Sequence, residues 1–294
     1  MKITLLGTGT PTPSLTRMGA SHLVEIADDV ILLDHGPGAH HRLLEAGRRA
    51  VDVSHLFFSH LHYDHCVDYA RLVLTRWDQA GGIIPDLAVY GPTGTCAMSE
   101  RLFDSDGAYN LDIRARTELD ASLGYYQARG GTLPRPRPSP VITELDATDT
   151  LETDHWRLTI ASVPHAQPVL TCFAYRFDTD AGSLVYSGDA APSQTLTDLA
   201  SECDVLIQMC HRISGTQLTD HGGVFSSGHL EVARTAHDAG VKTVVLTHIS
   251  EQMDSVGMHE KLLREMGVVY GGNIIWGEDL MAVPVGGPVA GALI

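Results

Sequence analysis

The segment that decides the fold of this chain is Ser59-His60-Leu61-His62-Tyr63-Asp64-His65. It places three imidazoles and one carboxylate within a few consecutive positions. Each imidazole has two polar nitrogens that need partners, so packing alone rarely gathers histidines in this way. His60 and His62 alternate like residues leaving a strand, while Asp64 and His65 begin a helical pattern, so the four side chains can converge. Nitrogen and oxygen donors predict a divalent metal, zinc first and Mn²⁺ or Fe²⁺ as alternatives.

The composition is that of an acidic globular protein. The 294 residues are 44% hydrophobic and 19% charged, with a formal net charge of −16. A surface that grips nucleic acid needs Lys and Arg, so this charge argues against nucleic acid and favours a small-molecule substrate. The five Cys form no C-x-x-C pair, and the N-terminal apolar run is too short for a signal peptide or membrane span. We therefore expect a cytoplasmic protein with reduced thiols and no membrane contact.

Strand patterns occupy both ends of the chain, and each half is interrupted by helical patterns. Apolar runs predict strands at 2–6, 22–26, 30–34, 53–59, 87–90, 141–145, 156–163, 170–177, 183–187, 205–209, 244–247, 268–270 and 280–283. Helical spacing is found at 39–48, 64–77, 94–103, 193–201, 229–239 and 255–266. This order predicts an α/β protein, a four-layer αββα sandwich. Because no linker divides the chain, we expect a single domain over 1–294, with an insertion at about 104–140.

Residues 104–140 differ in character from the rest of the chain. They combine a local excess of Arg with two adjacent tyrosines and a Pro-rich exit. A segment of this length without a clear strand pattern is usually functional or disordered. We expect a lid over the substrate, with Arg114, Arg116, Tyr125 and Tyr126 as candidate substrate-binding residues. Arginines that are merely salt-bridged at the surface are the alternative.

Three further residues of ligand type follow predicted strands. His165 comes after Ser162-Val163-Pro164, Asp189 ends Tyr186-Ser187-Gly188-Asp189, and His248 comes after Val244-Val245-Leu246-Thr247. Loops at one edge of a sandwich gather at a common site, so these three side chains can meet the histidine-rich segment.

Taken together, the motifs resemble those of the metallo-β-lactamase-fold hydrolases, and most of all the ribonuclease Z branch. The matching pieces are Leu5-Leu6-Gly7-Thr8-Gly9, Leu32-Leu33-Asp34-His35-Gly36, the segment 59–65, Val89-Tyr90-Gly91-Pro92, Val163-Pro164-His165, Tyr186-Ser187-Gly188-Asp189, Ser227-Gly228-His229 and Leu246-Thr247-His248-Ile249-Ser250. They occur in family order across about residues 1–250.

The resemblance implies a site for two metals, Zn²⁺ by preference, and a role for each residue. One metal would be bound by His60, His62 and His165, the other by Asp64, His65 and His248, with Asp189 bridging the two. Asp34 would orient a ligand histidine. A metal-bound hydroxide would attack the substrate, Asp64 would hold its proton, and His229 would donate a proton to the leaving group.

Departures from the ribonuclease Z pattern bear on the substrate. The long arm that clamps tRNA, between the histidine of the third motif and the bridging aspartate, is absent between His165 and Asp189. Residues 208–211 replace the family's His-Glu-Ala-Thr stretch. These departures favour a zinc hydrolase for a small, possibly aromatic substrate with an ester, phosphodiester or similar bond. The alternatives are a hydrolytic dehalogenase of electron-poor arenes, a tRNA 3′-end endonuclease, and a non-catalytic structural or sensor protein.

Several histidines have a second interpretation. His229 opens a helical pattern, so the alternative to catalysis is a surface residue in a first turn. His211 is a candidate substrate-binding residue at the pocket mouth or a structural histidine at a strand end. His221 lies in a polar loop and is a candidate for a structural metal or a dimer contact. We also expect a homodimer.

Overall fold

The computed structural model describes residues 1–216 and 225–286, which build two seven-stranded sheets. The first sheet contains β1 (Lys2–Gly7), β2 (Ser21–Ile26), β3 (Asp29–Leu33), β4 (His55–Phe57), β5 (Ala88–Gly91), β6 (Val141–Glu144) and β14 (Ala282–Val283). Their order across the sheet is β14-β1-β2-β3-β4-β5-β6. The hairpin β2–β3 is antiparallel, whereas β3 to β6 pair in parallel. The C-terminal ends of the parallel strands therefore share one edge.

The second sheet contains β7 (Thr150–Glu152), β8 (Arg157–Ser162), β9 (Phe173–Thr179), β10 (Gly182–Tyr186), β11 (Val205–Met209), β12 (Thr243–Thr247) and β13 (Asn273–Trp276). They follow the order β13-β12-β11-β10-β9-β8-β7. Strands β10 to β13 pair in parallel. Because β9 is antiparallel to both β8 and β10, the ends of β8, β10 and β12 also lie at one edge.

Helices cover the outer faces of both sheets. Those that follow strands of the first sheet are α1 (Ala39–Glu45), α2 (Tyr63–Cys66), α3 (Tyr69–Ala80), α4 (Thr95–Phe103), α5 (Asn110–Glu118) and α6 (Asp120–Ala128). Those that follow strands of the second sheet are α7 (Gln194–Leu199), α8 (His229–Asp238) and α9 (Met258–Val269). A short 3-10 helix spans Ala50–Asp52. Across the described residues, every helix is too short or too polar to cross a bilayer.

Three separate apolar clusters hold the four layers together. The central cluster joins the facing sheets, with Leu5 and Phe57 from the first and Phe177 and Ile207 from the second. One outer cluster packs the first sheet against α1, α3, α4 and α5, and the other packs the second sheet against α7, α8 and α9. Burial on both faces of each sheet explains the nearly continuous apolar runs of its strands. The predicted αββα sandwich is confirmed.

Two local predictions need correction. The predicted strand at 268–270 falls at the end of α9, where Val269 packs against the same cluster as the helical residues Leu262 and Met266. The strand next in the sheet is instead Asn273–Trp276. Residues 104–140, which show no clear pattern in sequence, contain α5 and α6. Each of these helices buries a single side chain, Ile113 or Tyr126, so neither carries an apolar stripe.

Candidate metal centre

The candidate metal ligands all follow strands whose ends lie at the shared edge. His60 and His62 come after β4, and α2 then turns Asp64 and His65 back toward them. His165 follows β8, Asp189 follows β10, and His248 follows β12. His248 has a left-handed backbone with φ of 56°, which a non-glycine residue adopts only when its surroundings hold it there.

The structure brings these seven side chains into two overlapping groups. His60, His62, His165 and Asp189 form the first group, and Asp64, His65, Asp189 and His248 form the second. Within each group the candidate ligand atoms lie within 4.8 Å of one another. Asp189 belongs to both groups, as expected of a bridging carboxylate.

The imidazole nitrogens are oriented as metal binding requires. In three histidines Nδ1 contacts an oxygen that can accept its proton: Ser59 Oγ at 3.0 Å for His60, Asp34 at 2.8 Å for His65, and the Phe225 carbonyl at 2.8 Å for His165. Each of these contacts leaves the Nε2 lone pair directed at the cluster.

The remaining distances explain why a cation fits. His62 Nδ1 lies 2.9 Å from His60 Nε2 and 3.2 Å from His165 Nε2, so three nitrogen atoms face one another. The Nε2 atom of His65 is buried and has no hydrogen-bond partner among the described residues. Lone pairs directed at one another are stabilised by a shared cation, and nitrogen with carboxylate oxygen is the donor set that zinc prefers.

The electrostatics of the cluster also favour a cation. Burial raises the pKa of Asp189, but nearby His248 and His65 outweigh it and hold that pKa well below its usual range. Burial lowers the pKa of His60 well below its ordinary value, and neighbouring His65 adds to that shift. Asp189 and His60 therefore have the protonation states that metal ligands need. Burial lowers the pKa of His65, but Asp189 and Asp34 outweigh it and raise that pKa well above its ordinary value, so a metal bound there displaces a proton.

Asp34 lies behind the cluster and has no exposed surface. It accepts hydrogen bonds from the Ser59 backbone N–H and hydroxyl, both at 2.7 Å, from His65 Nδ1 at 2.8 Å and from the Tyr186 hydroxyl at 2.6 Å. Its left-handed φ of 58° turns the chain at the end of β3. Asp34 thus fixes the orientation of His65, the arrangement expected from the resemblance.

His229 is buried, with 1% of its surface exposed, so the interpretation as a surface residue does not hold. Its Nδ1 accepts a hydrogen bond of 3.1 Å from the Ser214 backbone N–H. Its Nε2 lies 2.8 Å from the carboxylate of Glu265 in α9 and is the donor. Glu265 has no motif around it, so the sequence carried no signal for this partner.

Three further residues adjoin the candidate ligands, in space or in sequence. His211 lies beside His248, with their Nδ1 atoms 3.3 Å apart, and its role in substrate binding stays a prediction. The Phe225 ring lies 4.4 Å from that of His165 and is 49% exposed. Tyr63 is 59% exposed, and its hydroxyl donates a 3.0 Å hydrogen bond to the Pro11 carbonyl. Phe225 and Tyr63 were missed in sequence, although Tyr63 stands inside the ligand motif.

The candidate residues of the insertion do not join the cluster. Arg114 pairs with Glu118 on its own helix, and Arg116 pairs with Asp112 and with Asp78 of α3. Tyr125 is exposed, and the Tyr126 ring packs beneath Arg135. Within residues 1–216 and 225–286, none of these contacts reaches a candidate ligand, because α5 and α6 pack on the outer helical layer. His221 lies outside the described residues.

Comparison with known proteins decides the family. The model of the beta-lactamase superfamily domain matches residues 30–249. The chain belongs to the beta-lactamase superfamily. It is a metal-dependent hydrolase of that superfamily, and the resemblance to the ribonuclease Z branch is confirmed.

Several relatives of this chain are named Ribonuclease Z. The protein of that name from Mycobacterium bovis (strain BCG / Pasteur 1173P2) is 31% identical over 292 residues, covering 97% of this chain and 98% of the relative. The one from Mycobacterium sp. (strain KMS) is 32% identical over 254 residues, covering 84% of each.

Solved structures agree with the fold. The metallo-beta-lactamase fold protein YhfI from Bacillus subtilis has a TM-score of 0.72 at 19% identity, covering 96% of this chain and 98% of that one. The short form of human tRNase Z has a TM-score of 0.67 at 18% identity, covering 97% of this chain and 100% of that one.

These relatives contradict the prediction of a small-molecule substrate with nucleic acid excluded, because proteins of this similarity are named as ribonucleases. Two arguments stood behind that prediction. The short segment between His165 and Asp189 does not prevent an alignment that covers 97% of this chain and 98% of the Mycobacterium bovis protein. The net charge of −16 is a sum over the whole chain and does not describe any one surface.

Proposed function

We propose that this chain is a two-metal RNA endonuclease that hydrolyses a phosphodiester bond at the 3′ end of precursor tRNA. The similarity to proteins named Ribonuclease Z over 97% of the chain carries this proposal. The two overlapping ligand groups support it, because paired metals suit phosphodiester hydrolysis. The alternative of a non-catalytic structural or sensor protein is disfavoured because the similar proteins are named as ribonucleases.

We assign the two groups as the ligands of two divalent ions, Zn²⁺ by preference. His60, His62 and His165 would hold one ion and Asp64, His65 and His248 the other, with Asp189 available to both. When bound, such a pair lowers the pKa of water toward neutrality and stabilises the charge that develops on the phosphate.

The protein groups at the centre position the reactants. Burial raises the pKa of Asp64, but the hydrogen bond from His248 at 3.2 Å and the electrostatic effect of nearby His65 and His248 together outweigh it, so the net shift of that pKa is downward. Asp64 is therefore an ionised carboxylate that can accept a hydrogen bond from the attacking water. His65 is held by Asp34, and His165 by the Phe225 carbonyl, so the ligands are fixed before substrate binds.

His229 is the candidate proton donor for the leaving oxygen. Its Nε2 carries the proton, because Nδ1 accepts from the Ser214 backbone. Glu265 holds this proton in the absence of substrate, and its side chain is 41% exposed. Donation requires the imidazolium, so Nδ1 must take up a proton and leave the Ser214 N–H. Exchange of Glu265 for the leaving oxygen then places Nε2–H to donate its proton and leaves a neutral ring, a step that contributes about 10²–10⁴ in rate.

Two exposed aromatic residues that adjoin the candidate ligands suit a polynucleotide. Tyr63 adjoins His62 and Asp64 in sequence, and its hydroxyl is tied to Pro11, so its ring is held while remaining 59% exposed. Phe225 lies on the opposite group, against His165. Bases stack on such rings regardless of sequence, with about 1–3 kcal/mol per base.

Cleavage of a precursor tRNA with a labelled 3′ trailer tests the proposal. We expect the metal-loaded protein to release the trailer in one endonucleolytic cut. Asp189→Ala should lose both bound metal and cleavage, because it removes a ligand from both groups. Hydrolysis of bis(p-nitrophenyl) phosphate without any cut in the precursor would refute the RNA substrate while retaining the chemistry.

A further inference from the structure

A separate polar cavity lies between α3 and the insertion. It has a volume of about 140 Å³ and is lined by Arg116, Arg129, Arg135, Asp78 and Tyr125, among others. The share of one water molecule in the liquid is about 30 Å³, so this cavity accepts a group larger than water. None of the candidate metal ligands lines it.

Three guanidinium groups in this cavity converge on one carboxylate. Asp78 Oδ1 lies 2.9 Å from Arg116 and 3.0 Å from Arg135, and Asp78 Oδ2 lies 3.6 Å from Arg129. Arg116 also bonds Asp112, at 3.1 Å. Three positive charges therefore face two negative ones, an excess of positive charge in a chain whose net charge is −16.

Arg135 is a cation held in place within the protein. Its guanidinium lies 4.1 Å from the centre of the Trp77 ring and 4.8 Å from that of Tyr126. Its side chain is only 4% exposed, and its Nε is buried without a hydrogen-bond partner in the described part of the chain. Such a clamped guanidinium has already lost its rotamer freedom, so it binds an anion at little entropic cost.

The other two arginines face solvent. The side chain of Arg129 is 57% exposed and that of Arg116 is 41% exposed. The Tyr125 side chain beside them is 73% exposed. The cavity thus presents a buried cation, two accessible cations and an accessible aromatic face.

We propose that this cavity binds a backbone phosphate of the RNA substrate, with Arg129 and Arg116 bonding its oxygens and Tyr125 stacking on an adjacent base. Guanidinium groups match phosphate geometry, and exposed aromatic rings bind unpaired bases. This inference rests on the proposed function. It gives the chain a binding site for long RNA that is separate from the metal centre, within the segment expected to act as a lid.

Charge reversal at two positions of the same segment tests this site. Arg129→Glu removes a cavity cation, whereas Arg114→Glu makes the same change on an exposed side chain whose partner, Glu118, is on its own helix. For Arg129→Glu we expect KM for precursor tRNA to rise about tenfold at unchanged kcat. The slope of the logarithm of RNA affinity against the logarithm of salt concentration should fall by about one, as expected when one phosphate contact is lost. Arg114→Glu should behave as wild type, and both variants should hydrolyse bis(p-nitrophenyl) phosphate normally.

The outcomes separate this inference from the proposed function. If wild type cuts the precursor and both variants match it, the RNA site is refuted while the function stands. If wild type cuts no precursor, the function falls, and the RNA site falls with it. Thermal stabilisation by inorganic phosphate distinguishes a free anion from RNA. Phosphate that stabilises wild type but not Arg129→Glu, with equal KM for RNA in both, would refute the RNA proposal.

Discussion

Replacing Asp34 with Asn tests whether one buried carboxylate keeps the metal centre in shape. Asp34 accepts hydrogen bonds from the Ser59 backbone and hydroxyl, from His65 and from Tyr186. Asn has the same shape, but one of its two terminal atoms is a donor. At least one of the surrounding donors therefore loses its acceptor, and the other hydrogen bonds lose the charge that strengthens them.

The expected magnitude follows from these hydrogen bonds. A hydrogen bond to a charged group contributes about 1.5–3 kcal/mol, and a neutral one about 0.5–1.5 kcal/mol. The variant loses one hydrogen bond and weakens the others, but it also no longer buries a charge, which offsets part of the loss. The free energy of unfolding should therefore fall by about 2–4 kcal/mol. Metal affinity should fall about 10- to 100-fold, because His65 is no longer held in one tautomer.

Competition with a chelator measures the metal affinity, and denaturant unfolding of the metal-free protein measures the stability. Tyr186→Phe is the matched control, since it removes one donor but leaves both the Asp34 carboxylate and its bond to His65. This control should keep the metal affinity of wild type. Wild-type zinc affinity in Asp34→Asn would show that Asp34 does not orient His65.

Three further predictions concern catalysis, pH and cooperativity. His229→Ala should keep both metals and slow RNA cleavage by about 10²–10⁴-fold. Hydrolysis of bis(p-nitrophenyl) phosphate should slow much less, because its good leaving group needs no proton. Equal losses of rate on the two substrates would exclude proton donation by His229. Burial raises the pKa of Asp254, but hydrogen bonds and charge from Arg17 outweigh it and lower that pKa. The stability from this pair is therefore present above the unfolded pKa of about 3.9 and lost as pH falls through the lower folded value. Asp254→Asn should destabilise the protein at neutral pH, and this difference from wild type should shrink as the pH falls below about 3.9. A difference that does not shrink in acid would contradict the stabilising role of the Arg17–Asp254 pair. We propose that 1–294 is one domain, so calorimetric unfolding should show one transition, and two resolved transitions would contradict this.

The sequence predicts the fold and the candidate centre because their signals are local. The strands are buried on both faces, so each appears as an apolar run with its candidate ligand directly after it, as with Val244–Thr247 and His248. Ligand spacing within 60–65 is likewise set by a single strand-to-helix turn. These features do not depend on distant contacts.

Features that depend on tertiary contacts could not be predicted in the same way. Glu265 meets His229 only because α8 and α9 pack together. Arg116 looked like a lid residue, but it shares Asp78 with Arg129 and Arg135, and Asp78 lies on a helix that precedes them by more than thirty residues in the sequence. The prediction of the substrate class was wrong because net charge is a sum over the whole chain and does not show how charge is distributed over the surface.

The number of bound metals at which RNA cleavage appears tests the two-metal proposal most directly. Metal-free protein should be titrated with zinc while bound metal and the initial rate of precursor tRNA cleavage are measured on the same samples. We expect the rate to remain low at one ion per chain and to reach its maximum at two, because Asp189 joins both ligand groups. Full activity at one ion per chain, or no cleavage at two, would contradict the proposal.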